Sequence, residues 1–276
     1  MGAKRSTAAG SNAFGTQSVE RTLHLLRAIA TRGHFGWRLT DLIAHCGMSR
    51  STAHRLLTCL VRERLLSFRP SNRHYVLGPL LFELSLSLPE HYPDFVRACH
   101  EPMSRITRQF GGVTYLIVRS HADAVCVARV GVPSLKGMTV EVGTRKPLMS
   151  TVGGIAILIA LGADERRRIV EQNRKDMRQH EMPRFDSLEK VLRDSLRQGF
   201  AVNHGVIVPD INAVGFAVND PIGEPFAALV ASGSANDFPA SRTKQIMTKL
   251  SEEGAQIARA ADLLSKVSTQ PLVTGL

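Results

Sequence analysis

Leu39-Thr40-Asp41-Leu42-Ile43-Ala44-His45-Cys46-Gly47-Met48-Ser49-Arg50-Ser51-Thr52-Ala53-His54-Arg55-Leu56-Leu57 is the stretch whose reading decides the fold. It divides at Gly47 into two short helices. Thr40 is placed to cap the first, whose apolar residues are Leu42, Ile43 and Cys46, and Gly47 supplies the left-handed residue that commonly ends a helix. Ser49 caps the second, which is expected to run to about Arg64. Its apolar stripe (Ala53, Leu56, Leu57, Leu60, Val61) lies opposite a free face of Arg50, Ser51, His54, Arg55 and Thr58. Two helices joined by a tight glycine turn, the second basic on its free face, read as a helix-turn-helix.

On the N-terminal side, Val19, Leu23, Leu26 and Ala30 fall on one helical stripe, with Ser18 before it as an expected cap. Trp37-Arg38-Leu39 follows two glycines as a short strand. On the C-terminal side, Leu65-Leu66-Ser67-Phe68 and Tyr75-Val76-Leu77 flank the turn chemistry of Pro70-Ser71-Asn72. A hairpin directly after the second helix makes the unit a winged helix. In such a unit the second helix enters the DNA major groove. Its first amides, with Ser51 and Thr52, suit a phosphate, and Arg50 and Arg55 suit guanine. Arg69 and Arg73 flank the wing turn. The DNA-contact set is therefore Thr40, Ser49, Arg50, Ser51, Thr52, His54, Arg55, Thr58, Arg69 and Arg73. A winged helix can also serve only as a protein-protein or assembly module without a specific operator, and that alternative stays open.

Charge distribution agrees with a nucleic-acid partner without proving one. The 276 residues carry a formal net charge of +11. Residues 1–90 hold 12 Lys and Arg against 5 Asp and Glu, and residues 91–276 hold 23 against 19, so the first third carries most of the excess. No run approaches the ~18 apolar residues of a membrane span, and no secretory signal stands at the start, so a cytoplasmic protein is expected. Residues 1–17 read as a disordered tail. Cys46, Cys59, Cys99 and Cys126 have no paired spacing and read as buried apolar side chains; neither a metal site nor a cofactor is expected.

The order of these parts resembles that of the IclR-type bacterial transcriptional regulators. The residues that carry the resemblance are Ser18-Val19-Glu20-Arg21, the helix-turn-helix run above, and Tyr75-Val76-Leu77-Gly78. Val142-Gly143-Thr144-Arg145-Lys146-Pro147-Leu148, Gly199-Phe200-Ala201-Val202 and Gly223-Glu224-Pro225-Phe226-Ala227-Ala228-Leu229 add to it. The match covers about residues 18–265. The resemblance implies an α+β chain, with an N-terminal winged helix-turn-helix (18–78), a linker helix (79–93), a GAF-like α/β effector-binding domain (94–265) and a C-terminal tail (266–276). It also implies an approximately palindromic operator and assembly into dimers or pairs of dimers. Leu80, Leu81, Leu84 and Leu88 form a linker stripe best buried against a second copy.

Read by itself, the second domain alternates elements. Helices are expected over 95–110, 151–161, 164–172, 187–198 and 240–264, and strands over 113–118, 124–130, 138–142, 213–218 and 226–232. An antiparallel sheet flanked by helices is the economical solution. Ser187-Leu188-Glu189-Lys190 has the Ser-x-x-Lys spacing of some hydrolases, but its companion motifs are missing and Ser187 is better read as a helix cap; no enzyme is expected. The resemblance places a small-molecule pocket at Leu135, Met138, Lys146, Val152, Gly153, Asn203, Ala213, Val230 and Ser232. The start of the helix at 152, with its free amides and positive dipole end beside Gly153 and Gly154, suits a carboxylate. The glycines can equally serve close helix-sheet packing. Departures from the family pattern at Asn203, Ala213 and Val230, and at Met149 and Ile155, suggest a less polar pocket for an aromatic or longer-chain acid, or a degenerate sensor.

Overall fold

The computed structural model describes residues 16–87, 91–133, 140–179 and 185–261. The chain divides into two compact units between Leu81 and Phe82.

In the first unit, helices α1 (Gln17–Ala30), α2 (Leu39–Cys46) and α3 (Arg50–Arg62) pack with a small sheet of β1 (Trp37–Arg38), β2 (Leu66–Arg69) and β3 (His74–Leu77). The sheet order is β1-β3-β2, all antiparallel, with Arg38 opposite His74 and Arg69 opposite His74. Gly47 takes φ 60°, ψ 34° and returns its N–H to the Ile43 carbonyl, the left-handed stop expected there. The Ser49 side chain accepts the Thr52 N–H at 3.3 Å. Leu25, Ile29, Trp37, Leu42, Leu57 and Leu66 form the core.

Three local expectations are corrected. In α1 the buried residues are Leu25, Ala28 and Ile29, while Val19 and Leu23 are 58% and 46% exposed. The helix carries two apolar stripes, and only packing chooses between them. Ser18 lies inside α1, whose cap position is Thr16. Thr40 likewise lies inside α2: Arg38 stands at the cap position with no side-chain cap, and the Thr40 hydroxyl donates to Asp41 Oδ1 at 3.1 Å.

Helix α4 (Pro79–Ser85) is shorter than the expected linker helix. Leu80 and Leu81 are half-buried, and Phe82 and Leu84 are 67% and 54% exposed. Leu88 and Pro89 lie outside the described residues, as do most of the expected N-terminal tail and the whole of the C-terminal one. Pro93, expected beyond the linker, falls in the first turn of α5 (His91–Phe110), where a missing N–H costs no helical bond.

The second unit is built on six antiparallel strands in the order β6-β5-β4-β9-β8-β7. These are β4 (Val113–Ser120), β5 (Asp123–Gly131), β6 (Arg145–Pro147), β7 (Ala201–His204), β8 (Ile211–Asn219) and β9 (Pro225–Ser234). Helices α5 and α9 (Thr243–Ala260) cover one face with Phe95, Met103, Ile106, Leu250 and Ile257. The other face is covered by α6 (Val152–Ala160), α7 (Ala163–Gln179) and α8 (Phe185–Gln198). Helix α6 is apolar all round and correspondingly buried. Of the strand expected over 138–142, the described part (140–142) runs into a turn, and β6 takes the place beside β5 instead. Ser187 lies in the first turn of α8, so it is not the cap expected. The thiols of Cys99 and Cys126 are buried and pushed up to about 12, and burial lifts the half-buried Cys46 to about 11. Cys59 departs from expectation and is exposed on α3.

Beneath α9 the Glu253 carboxylate is 2% exposed. Arg105 Nε donates to both its oxygens at 3.0 Å, and Lys249 Nζ stands 2.9 Å away. Burial alone would raise the Glu253 pKa; the hydrogen bonds and charges of Arg105 and Lys249 outweigh it and hold it below the ordinary 4.5. A carboxylate whose folded pKa is depressed contributes stability above its unfolded pKa and loses it as pH falls through the folded one. Arg105→Ala is expected to destabilise the domain by about 1–3 kcal/mol near neutrality, less than the roughly 3–5 of a wholly buried pair because Arg105 is partly exposed and Lys249 remains. Urea unfolding of both proteins at about pH 7 and about pH 3.5 checks this, since the gap should narrow in acid.

Candidate nucleic-acid interface and effector face

Helix α3 is anchored by Ala53, Leu56, Leu57 and Leu60, all buried, so its opposite side is fixed outward. Arg50, Ser51, His54, Arg55 and Thr58 are exposed there. Between α3 and the wing runs a groove of about 810 Å³, lined by Arg50 and His54 from α3, by Phe68, Ser71, Asn72, Arg73 and Tyr75 from the wing, and by Arg38, Leu39 and Thr40. No carboxylate is in this lining.

The wing is shaped locally. Asn72 Oδ1 accepts the His74 N–H at 3.2 Å across the turn, and Arg73 adopts φ 58°. Phe68 and Tyr75, paired in register, bring their ring centroids to 5.0 Å, and burial raises the Tyr75 phenol pKa. Arg50, Arg55 and Arg73 have no hydrogen-bond or ion-pair partner among the described residues. Arg69 does: its Nη1 donates to the His34 carbonyl at 2.7 Å, which ties the turn end of the wing to the turn after α1. Ser49 is engaged with Thr52 as the helix cap, donating to its Oγ1 at 2.9 Å. Arg38 is a groove cation that sequence reading missed, because nothing in Trp37-Arg38-Leu39 distinguishes it from a solvated strand residue.

In the second unit, strand register brings most of the expected pocket residues to one sheet face. Asn203 pairs with Ala213, Ala213 with Ser232, and Val230 with Tyr115. Directly paired residues project to the same side. Ala213, Val230, Tyr115 and Val152 share the cluster beneath α6. Lys146 is opposite Ala124, a member of that cluster, and so belongs to the same face at the β6 edge. Desolvation lowers the Lys146 pKa even though the residue as a whole remains exposed. Leu135 and Met138 lie outside the described residues.

Three of the expected pocket residues have structural occupations, and for Ser232 it is a hydroxyl that donates to the Asn212 carbonyl at 3.3 Å. The Asn203 amide is buried; its Oδ1 accepts the N–H groups of Val206 (3.1 Å) and Ile207 (3.0 Å), and its Nδ2 donates to the Ile211 carbonyl (3.2 Å). It holds the loop after β7 folded back. A Cβ on Gly153 would stand 2.6 Å from Ile117 Cγ1 and 3.0 Å from Val230 Cγ2, so the helix lies directly on the strands. The Thr151 hydroxyl takes the Gly154 N–H at 2.9 Å, leaving the amides of Val152 and Gly153 without a partner among the described residues. Tyr115, missed from sequence, is buried on this face, and desolvation pushes its phenol up to about 12.

Two family models match the chain. The IclR helix-turn-helix domain covers residues 18–70, and the bacterial transcriptional regulator IclR C-terminal domain covers 91–259. The chain belongs to the IclR family. It is a regulator of the DNA-binding type. It is similar to the acetate operon repressor of Salmonella typhimurium (25% identical over 250 residues, 89% of this chain and 87% of that one). The glycerol operon regulatory protein of Streptomyces griseus is 27% identical over 194 residues, 68% of this chain and 72% of that one. Among solved structures, the IclR family regulator from Brucella abortus superposes with a TM-score of 0.72 at 20% identity, over 93% of this chain and 96% of its own. An IclR homolog from Microbacterium hydrocarbonoxydans, complexed with 4-hydroxybenzoate, gives 0.63 at 17% identity, over 89% and 99%. These likenesses bear out the α+β architecture with its winged helix. No helix among the described residues is long and apolar enough to cross a membrane, and none of their His, Cys, Asp and Glu residues form a group of three able to hold a metal ion.

The packing of Gly153 makes a prediction independent of any ligand. Gly153→Ala should destabilise the second unit by about 1–3 kcal/mol through overpacking against Ile117 and Val230. Urea unfolding measures it, and an unchanged midpoint would show that α6 does not lie this close to the sheet.

Proposed function

We propose that this IclR-family protein binds a specific, approximately palindromic operator through α3 and its wing, and that a small carboxylated metabolite bound on the α6-covered face alters that affinity. The observation that carries the DNA half is the groove beside α3: cations from separate elements converge on it and no acidic side chain lines it. Arg50 and Arg55 read bases, with Ser51, Thr52, His54 and Thr58 beside them and Thr40, Ser49, Arg69 and Arg73 as backbone contacts or supports of them.

The effector half is supported by the shared face of Lys146, Val152, Gly153, Asn203, Ala213, Val230 and Ser232. The 4-hydroxybenzoate complex of a structural neighbour is a carboxylated aromatic ligand on the same fold. Leu135 and Met138 complete this set by family resemblance. Arg119, Arg129 and Arg145 in the neighbouring strands are already paired with Glu165, Glu141 and Asp123. Lys146 has no such partner among the described residues, which makes it the available counter-charge. The protein works as a dimer, or pair of dimers, in the cytoplasm and catalyses no reaction.

The test is a footprint of the purified protein on the DNA upstream of its own coding sequence, followed by fluorescence anisotropy on the protected site. Arg55→Ala should weaken binding there by about 1–3 kcal/mol while leaving unrelated DNA nearly unaffected. An unchanged affinity would return the domain to an assembly role. Titration of 4-hydroxybenzoate and other small carboxylic acids should shift operator affinity. If none changes either affinity or assembly, the sensing half is wrong.

A further inference from the structure

Arg38 stands at the junction of β1 and α2, on neither the recognition helix nor the wing, yet it lines the same groove as Arg50, His54 and Arg73. Its guanidinium has no carboxylate, carbonyl or aromatic partner among the described residues. The contrast with its neighbours is informative. Arg32 stacks 3.7 Å over the Trp37 ring and faces Asp41, and Arg69 is bound to the His34 carbonyl. Each of these cations has an internal task, whereas Arg38 is exposed and has none.

The groove thus has on each of three sides one arginine without a partner among the described residues: Arg50 from α3, Arg73 from the wing turn, and Arg38 from the strand-helix junction. A concentration of like charge without compensating acids is destabilising by itself and becomes favourable only when an anion enters. Because the cations approach from three elements, they fit a polyanionic strand passing through the groove better than a single small anion. On the proposed reading Arg50 meets base edges from the start of α3, whereas Arg38 is set apart from that helix.

On the reading of α3 as the operator-binding helix, we infer that Arg38 is a DNA-backbone contact: it grips a phosphate of the strand running between α3 and the wing, adding affinity without sequence preference. Arginine at this place suits a phosphate bidentately, and lysine would preserve the charge but not the fork.

Each phosphate neutralised contributes about 0.9 to the slope of log affinity against log salt. Arg38→Ala should therefore lower that slope by about one and weaken binding several-fold on the operator and on an unrelated duplex alike. Arg38→Lys should restore most of the slope. Thermal unfolding of both variants should match the parent, since the side chain is exposed and unpaired. Two results would overturn the inference: an unchanged salt slope on both duplexes, or a loss confined to the operator, which would make Arg38 a base-reading residue. The duplexes also separate this inference from the reading on which it rests. If the parent protein shows no preference for the operator but Arg38→Ala still lowers the slope on both, the phosphate contact stands and the operator assignment falls.

Discussion

The outward face of α3 is basic because its inward face is locked. Leu56, Leu57 and Leu60 are buried in one cluster with Leu25, Ile29, Trp37 and Leu42, and each large side chain contributes roughly 1.5–3 kcal/mol by leaving water. Rotating the helix by one residue would expose Leu57 or drive Arg55 into that core, at a cost far above the mutual repulsion of a few solvated cations. The arginines face outward because the leucines leave them no alternative. The Ser49 cap and the left-handed Gly47 fix where the helix starts, and therefore which residues lead it. Which side chains α3 presents to the groove, Arg50 and His54, depends on that one rotational setting.

The larger unit solves a different problem. A six-stranded antiparallel sheet with apolar residues on both faces must be covered twice, and α6 covers the centre of one face by being small as well as apolar. Val152 and Ala156 lie over Gly215, and Gly153 over Ile117 and Val230, so helix and sheet approach closely through residues with little or no side chain. The opposite face relies on long side chains from α5 and α9, together with one buried charge cluster. Arg105 and Lys249 around Glu253 couple these two helices, whose partners lie 148 residues apart in sequence. A desolvated carboxylate with two cations is a demanding arrangement that only one register of α9 on α5 satisfies.

Where an element's own residues settle its structure, the sequence was enough to read it. Gly47, Ser49 and the leucine stripe of α3 act within a few residues of one another, and the wing hairpin is set by its turn. Apart from the misplaced caps at Ser18, Thr40 and Ser187, the failures share one cause. In α1 the stripe through Val19 and Leu23 is as regular as that through Leu25, Ala28 and Ile29, and only the presence of α2 and β3 decides between them. The residues at 140–142 have a strand's composition but lose the edge of β5 to Arg145–Pro147. Arg38, Tyr115 and the Glu253 cluster escaped notice because their significance lies in what distant segments bring to them. For the expected pocket, family resemblance named a set of residues and strand register puts most of the described ones on one face; what the resemblance could not convey was that Asn203, Ser232 and Gly153 already have structural work.

That prior occupation bears on how a ligand could act at all. A ligand shifts a protein between states only through different affinities for them. An Asn203 amide with its oxygen held by the loop after β7 and its nitrogen by the first residue of β8 gains little from a new hydrogen bond unless it gives up an old one. Any ligand that engages this amide therefore competes with the folded-back loop and distinguishes two loop conformations. By contrast, the amides of Val152 and Gly153 and the Lys146 ammonium, which have no partner among the described residues, can be engaged without breaking any bond described there. They supply affinity common to both conformations, which strengthens binding without moving the equilibrium. The side chain with a structural task to abandon is thus the better candidate for a signal, and the groups with none are the better candidates for grip.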